Sequence, residues 1–160
     1  MSRIPATPAT RFLQKNGVAY IPHVYEYVEH GGTRHSAAAL GVDEHCVIKT
    51  LIMADERQQP LIVMMHGDHL VSAKELARAA GVKHVEPCTP ETARRHSGYL
   101  VGGTSPFATR KTMPVYIESS ILELEKIYIN GGQRGLLVSL APAEIVRVLG
   151  ARPVQVKRAK

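Results

Sequence analysis

Val47-Ile48-Lys49-Thr50-Leu51-Ile52-Met53 and Leu61-Ile62-Val63-Met64-Met65 flank the polar stretch Asp55 to Pro60. Two β-rich runs joined by a turn of this composition predict an antiparallel hairpin. Side chains alternate along a strand, so Lys49 shares a face with Val47 and Leu51, while Ile48, Thr50 and Ile52 take the other. A lysine among such neighbours is desolvated unless it reaches water or an anion. Two readings follow from the pattern: an edge-strand lysine whose amine snorkels out, or a cation that serves a site.

Working outward from the hairpin, the chain alternates short helices with short strands. Thr7-Pro8 opens a helix, with an N-cap residue followed by proline at the first helical position, and Gly17 stops it. Val18 to Tyr25 is a strand, residues 26–34 are a loop, and Ser36 to Leu40 is a short helix ended by Gly41. Beyond the hairpin, Ser72 and Glu75 have the spacing of a capping box for a helix that ends at Gly81. Val82 to Glu86 is a short strand, and Thr89-Pro90-Glu91 starts a helix that ends near His96. Pro114 to Ile117, Glu125 to Asn130, Leu136 to Leu140 and Ala151 to Val156 are strands, with a helix from Pro142 to Leu149. Lys157, Arg158 and Lys160 read as a frayed basic tail. Hairpins mixed with α–β alternations predict an α/β (α+β) fold, a mixed sheet with helices packed outside.

The bulk properties bound the function. The 160 residues suit one domain with a real core, and residues 1–160 are read as such. Apolar residues make up 44% and aromatic ones 5%, so the core rests on Leu, Ile, Val, Ala and Met. No apolar run approaches a membrane span, and Met1 to Pro5 lacks the apolar region of a signal peptide, so the expected location is the cytoplasm. Cys46 and Cys88 are then two reduced thiols. The net charge of +6 favours polyanionic partners, nucleic acid first.

Two further segments carry candidate chemistry. Gly98 to Arg110 is a long loop of low charge in which Gly102-Gly103 lets backbone approach a ligand closely. Adjacent amides there can hold an oxyanion, carboxylate or phosphate, Thr104 and Ser105 add hydroxyls, and Arg110 and Lys111 add charge. The other segment is Gly131-Gly132-Gln133-Arg134-Gly135, a hairpin turn with a bulge that can also bring Arg134 to a pocket rim. His66-Gly67-Asp68-His69 is spaced like one arm of a metal site, but no second arm is evident, so neither metal nor cofactor is expected. No nucleophile motif is present.

Taken in order, Val47 to Leu51, Ser97 to Pro106 and Ile127 to Leu136 resemble the YbaK/ProX family of aminoacyl-tRNA deacylases. The opening helix and the strand end Pro22-His23-Val24-Tyr25 fit as well. The resemblance covers roughly residues 5 to 156. It implies a mixed, partly barrel-like β-sheet surrounded by helices, similar to the editing domain of some bacterial prolyl-tRNA synthetases. It also implies hydrolysis or cleavage of the ester of mischarged tRNA, Cys-tRNA(Pro) first and Cys-tRNA(Cys) to a degree, with Ala-tRNA(Pro) the alternative.

By position, Lys49 matches the family's essential lysine, Gly102 and Gly103 its carbonyl-facing glycines, and Tyr25 a pocket tyrosine. Asn130 stands where related members carry Ser, and residues 29–34 depart from their usual run. Thr50, Thr104, Ser105, Asn130, Gly131 and Arg134 complete the expected substrate set. Arg94, Arg95, Arg110 and Lys111, with the basic tail, are expected to meet the acceptor end. In such a site the cysteine thiol of the substrate can attack its own carbonyl and leave as a thiolactone. For alanine, a water or a ribose hydroxyl must serve instead. Expected partners are mischarged tRNA and a prolyl- or cysteinyl-tRNA synthetase, with a monomer as the default. A non-catalytic module that binds aminoacyl-tRNA ends, or a small-molecule hydrolase, stays open on the residues alone.

Overall fold

The central hairpin forms as the sequence predicts. In a computed structural model that describes residues 4–160, β2 (Val47–Asp55) runs antiparallel to β3 (Pro60–His66), from Ile48 opposite His66 to Ala54 opposite Pro60. The opening residues 1–3, part of the leader reading above, lie outside the described residues. All seven residues of β3 are buried because both faces are covered. Ile62 and Met64 enter one core with Ile117, Ile129 and Ile145; Leu61, Val63 and Met65 enter another with Leu76 and Val85.

The other elements extend the sheet and cap it. In chain order they are α1 (Pro8–Lys15), β1 (Ile21–Val24), α2 (Gly32–Leu40), β4 (His69–Val71), α3 (Ala73–Ala80), β5 (Val85–Pro87), α4 (Pro90–Ser97), β6 (Val115–Glu118), β7 (Ile127–Gln133), β8 (Leu136–Leu140), α5 (Ala143–Leu149), β9 (Arg152–Val154) and β10 (Lys157–Ala159). The main sheet has the order β1-β8-β7-β2-β3-β6-β9, and β5 pairs with the far end of β2. The β2–β7, β3–β6 and β6–β9 pairs are parallel and the rest antiparallel, so the sheet is mixed. Among the described residues, no helix is long and apolar enough to cross a membrane.

Local differences from the sequence reading have local causes. Helix α2 begins at Gly32, four residues before the expected Ser36, and its N-cap Gly31 has no side-chain bond that could have marked the start. Ser72 caps α3 by accepting from the Glu75 N–H, but its own N–H donates to the Val156 carbonyl, so the reciprocal half of the capping box is replaced by a tertiary bond. The expected frayed tail is a strand: β10 pairs antiparallel with β4, Lys157 opposite Val71 and Ala159 opposite His69.

A buried carboxylate holds that strand. Glu118, 2% exposed, accepts from the backbone N–H groups of Val156 and Lys157 through one oxygen. The other oxygen accepts from the N–H and hydroxyl of Ser120. Burial alone would raise the carboxyl pKa, but these four bonds outweigh it and hold the group below its ordinary 4.5. Because the folded-state pKa is depressed, the stability contribution is present above pH 4.5 and is lost as pH falls through the lower folded value. Glu118→Gln places an amide opposite backbone donors and should cost about 2–3 kcal/mol at pH 7. Urea unfolding of both proteins from pH 7 down to pH 4 should show the gap narrowing at the acid end.

Candidate active site

The site begins at a gap in the sheet. On one edge β2 is paired continuously with β3. On the other edge, β7 pairs only with Val47 and Ile48, and β5 only with Met53 to Asp55. Lys49 to Ile52 therefore have no strand beside them on that edge. The Ile52 carbonyl points there, accepting from the Cys88 N–H, and backbone alternation puts the N–H and carbonyl of Thr50 on the same side. The Thr50 hydroxyl is buried with no hydrogen-bond partner among the described residues. A buried unpaired hydroxyl beside an open strand edge is a ready contact for a ligand.

The gap opens into a cleft of about 900 Å³. One wall is β2; the others come from the Tyr25–Ser36 segment, the Gly102–Thr104 loop, the β7–β8 hairpin and the end of β10. Of the residues expected from sequence, Tyr25, Lys49, Thr50, Gly102, Thr104, Asn130 and Arg134 meet at this cleft. Lys49 is partly buried, and its amine is held below the ordinary lysine value by burial and then by the charge of Lys160, against the pull of Glu44 and Asp68. Burial raises the Tyr25 phenol. Cys88 also lines the cleft, but burial raises its thiol, which disfavours a thiolate nucleophile.

Asn130 and Arg134 clamp the glycine loop onto the hairpin. Asn130 Nδ2 donates to the Gly102 carbonyl at 2.9 Å, while its Oδ1 accepts from the N–H groups of Gly132 and Gln133 at the bulge. Arg134 Nε donates to the Val101 carbonyl at 2.9 Å, and its guanidinium lies over the Tyr27 ring. The expected five-residue turn is shorter than predicted, since β7 continues to Gln133 and β8 starts at Leu136. Gly102 has φ +91, and a Cβ there would meet the Tyr27 hydroxyl at 2.6 Å. A Cβ on Gly103 would meet the Arg134 backbone nitrogen at 2.9 Å.

The remaining expected residues lie elsewhere. The Gly103 N–H is occupied by the Leu100 carbonyl, whereas that of Gly102 has no partner among the described residues. Ser105 is fully buried and accepts from the Phe107 N–H. Gly131 is buried, and its carbonyl accepts from the Thr7 hydroxyl. Arg94, Arg95, Arg110 and Lys111 are exposed and gather outside the cleft, where Arg110 and Lys111 donate backbone bonds to Ser97 and His96 at the end of α4. Sequence reasoning missed Tyr27 and Glu44 in the lining, and it expected Arg158 and Lys160 to meet the acceptor end from a frayed tail, not from the cleft wall. Two-residue alternation could have paired Tyr27 with Tyr25 and Arg158 with Lys160.

The motif His66 to His69 gains the second arm that the sequence reading did not see. Nδ1 of His45 and of His69 each lie 2.9 Å from Asp68 Oδ1, and the three side chains are close enough to share one cation. As they stand, they form a hydrogen-bonded trio. Burial would raise the Asp68 carboxyl, but the bonds from His45 and His69 bring its pKa down to about 2. His66 is separate: fully buried, stacked on His45, and bonded through both ring nitrogens to the His45 carbonyl and the Ser120 hydroxyl.

Comparison with known proteins gives the family of the chain. The profile of the aminoacyl-tRNA editing domain matches residues 32–148. The chain belongs to that family. The match spans the gap, the glycine loop and the hairpin, in agreement with the resemblance carried by the three motifs. The chain is 28% identical over 141 residues to EbsC of Enterococcus faecalis, named as a Cys-tRNA(Pro)/Cys-tRNA(Cys) deacylase, covering 88% of this chain and 86% of that one. It is 29% identical over 133 residues to a proline–tRNA ligase of Thermodesulfovibrio yellowstonii, covering 83% of this chain but 21% of the ligase. A crystal structure described as a trans-editing enzyme for prolyl-tRNA synthetase superposes with a TM-score of 0.82 at 20% identity, covering 97% of this chain and all of that one, which supports the fold.

The close backbone contact at Gly103 gives a test of how the cleft wall is built. Its neighbour is main chain, which cannot swing aside. Gly103→Ala should lower stability by about 1–3 kcal/mol, and hydrogen exchange should speed at the amide of position 103 as the loop lifts from the β7–β8 hairpin.

Proposed function

We propose that this protein is a trans-editing aminoacyl-tRNA deacylase that cleaves the ester of mischarged tRNA, with Cys-tRNA(Pro) as its principal substrate. The observation that carries this reading is the convergence of Lys49, Thr50 and Gly102 on one cleft, with the Gly102 N–H and the Thr50 hydroxyl unpartnered among the described residues, in a chain of the aminoacyl-tRNA editing family. The deacylase name of EbsC, which this chain matches over most of both lengths, supports the reaction and the amino acid.

An ester needs positioning and an oxyanion donor more than it needs a strong nucleophile. In this reading the Gly102 N–H donates to the scissile carbonyl oxygen. Gly103 supports it by closing the turn, since its own amide is engaged with Leu100. Lys49 holds the terminal ribose or phosphate, and Thr50 contacts the aminoacyl group. With cysteine attached, its sulfur bonds to the carbonyl carbon as the carbon–ribose oxygen bond breaks, and the thiol proton passes to the departing ribose oxygen. This route requires no nucleophile from the protein, consistent with the raised thiol of Cys88.

Asn130 bears on the choice between cysteine and alanine. Its side chain is committed to Gly102, Gly132 and Gln133. We therefore assign it to loop positioning rather than to reading the amino acid, so its departure from Ser does not argue against cysteine. A water-mediated Ala-tRNA(Pro) reaction would use the same oxyanion donor.

Lys49→Ala should leave the fold intact and slow deacylation by about 100-fold or more. Release of cysteine from purified Cys-tRNA(Pro), measured beside a thermal melt, checks this. Wild-type turnover by folded Lys49→Ala protein would remove Lys49 from the mechanism.

A further inference from the structure

The cations of the cleft outnumber its acids, and the C-terminal strand contributes two of them. Arg34, Lys49, Arg134, Arg158 and Lys160 line it against Glu29 and Glu44, five positive groups to two negative. Arg134 is engaged with Val101 and Tyr27. Among the described residues, neither Arg34, Lys49 nor Arg158 has a carboxylate within ion-pair distance, and Lys160 has only Glu44, at 3.9 Å. Glu44 is itself bound by the Thr33 hydroxyl. Unneutralised like charges in one concavity repel, and an anion relieves that repulsion.

These charges are held in place rather than carried on a loose end. β10 pairs with β4, and the buried Glu118 carboxylate fixes the two N–H groups that lead into the strand. Alternation then sends Arg158 and Lys160 to one side and Lys157 and Ala159 to the other. Arg158 and Lys160 line the cleft, whereas Lys157 lies at a separate surface hollow beside Glu118 and Ser120. Lys160 is also close enough for its charge to act on Lys49.

We propose that Arg158 and Lys160, on the C-terminal strand, form a phosphodiester subsite that holds the backbone of the 3′-terminal nucleotides while the ester lies at Lys49 and Gly102. This rests on the deacylase reading and extends it to a strand outside the family match, which ends at residue 148. The subsite binds phosphate and leaves amino acid selection to the inner cleft.

The test compares Arg158→Ala/Lys160→Ala with Lys15→Ala/Arg57→Ala, which removes the same charge from exposed positions that do not line the cleft. Each is assayed on Cys-tRNA(Pro) and on 3′-O-cysteinyl-adenosine, which has no phosphate. The subsite variant should lose on the order of tenfold in kcat/KM on the tRNA, and its slope of log kcat/KM against log salt should become shallower by about 1.4, or 0.7 per cation on a single strand. On the nucleoside ester it should lose far less than on the tRNA, because the only change there is the lost charge of Lys160 beside Lys49; the control pair should match wild type on both substrates, and Arg158→Lys/Lys160→Arg should recover most of the loss. Equal loss on both substrates, equal loss in the control pair, or no loss overturns the proposal. If wild-type protein cleaves neither ester, the deacylase reading fails while the subsite is still decided by binding of a short RNA ending in the tRNA 3′ sequence. Weaker binding by the subsite variant alone supports it, and equal binding by all three proteins overturns it.

Discussion

The structure depends on one strand being paired at its ends and left open in its middle. β2 lies at the centre of the sheet, where both edges would normally be bonded. Its outer edge instead meets β7 at Val47 and Ile48 and β5 from Met53 onward. An interior strand with an unpaired stretch leaves backbone groups seeking partners, and a bound ligand can supply them. The interruption therefore makes both a cleft and a reason for something to enter it. It also explains how Lys49, with apolar neighbours on both sides, reaches a concave space instead of the core.

The rest of the site is fitted around that gap by close backbone contact. The glycine turn can approach the β7–β8 hairpin because Gly103 carries no side chain, and the Tyr27 ring because Gly102 carries none, while Asn130 and Arg134 bond the loop's carbonyls to the hairpin. The hairpin's bulge gives Asn130 two amides to accept from while its amide nitrogen faces Gly102. Farther out, Glu118 performs the corresponding task for β10: a single buried carboxylate sets where the C-terminal cations stand.

Much of this was legible in the residues, and most of what was not rests on tertiary contacts. The hairpin of β2 and β3, the Thr7 and Ser72 caps, and the Leu136–Leu140 strand follow from alternation and capping, which are local. The meeting of Lys49, Gly102, Asn130 and Arg134 came from the order of three motifs. The start of α2 was missed because its N-cap, Gly31, has no capping side chain. The strand character of Lys157 to Ala159 and the second half of the Ser72 cap depend on tertiary partners, namely the Glu118 carboxylate and the Val156 carbonyl. No local pattern encodes those. The engagement of the Gly103 amide by Leu100 was likewise invisible, and it narrows the oxyanion assignment to Gly102.

The central claim is that the cleft opened by the β2 gap cleaves a mischarged aminoacyl ester and spares the correct one. The most direct measurement is the single-turnover rate of amino acid release by the purified protein from Cys-tRNA(Pro), Ala-tRNA(Pro) and Pro-tRNA(Pro), with Cys-tRNA(Cys) as a control for the tRNA. The account predicts fast release from Cys-tRNA(Pro), slower release from Ala-tRNA(Pro), and none above the spontaneous rate from Pro-tRNA(Pro). Protection of the cysteinyl ester, or release from Pro-tRNA(Pro) as fast as from Cys-tRNA(Pro), would contradict it.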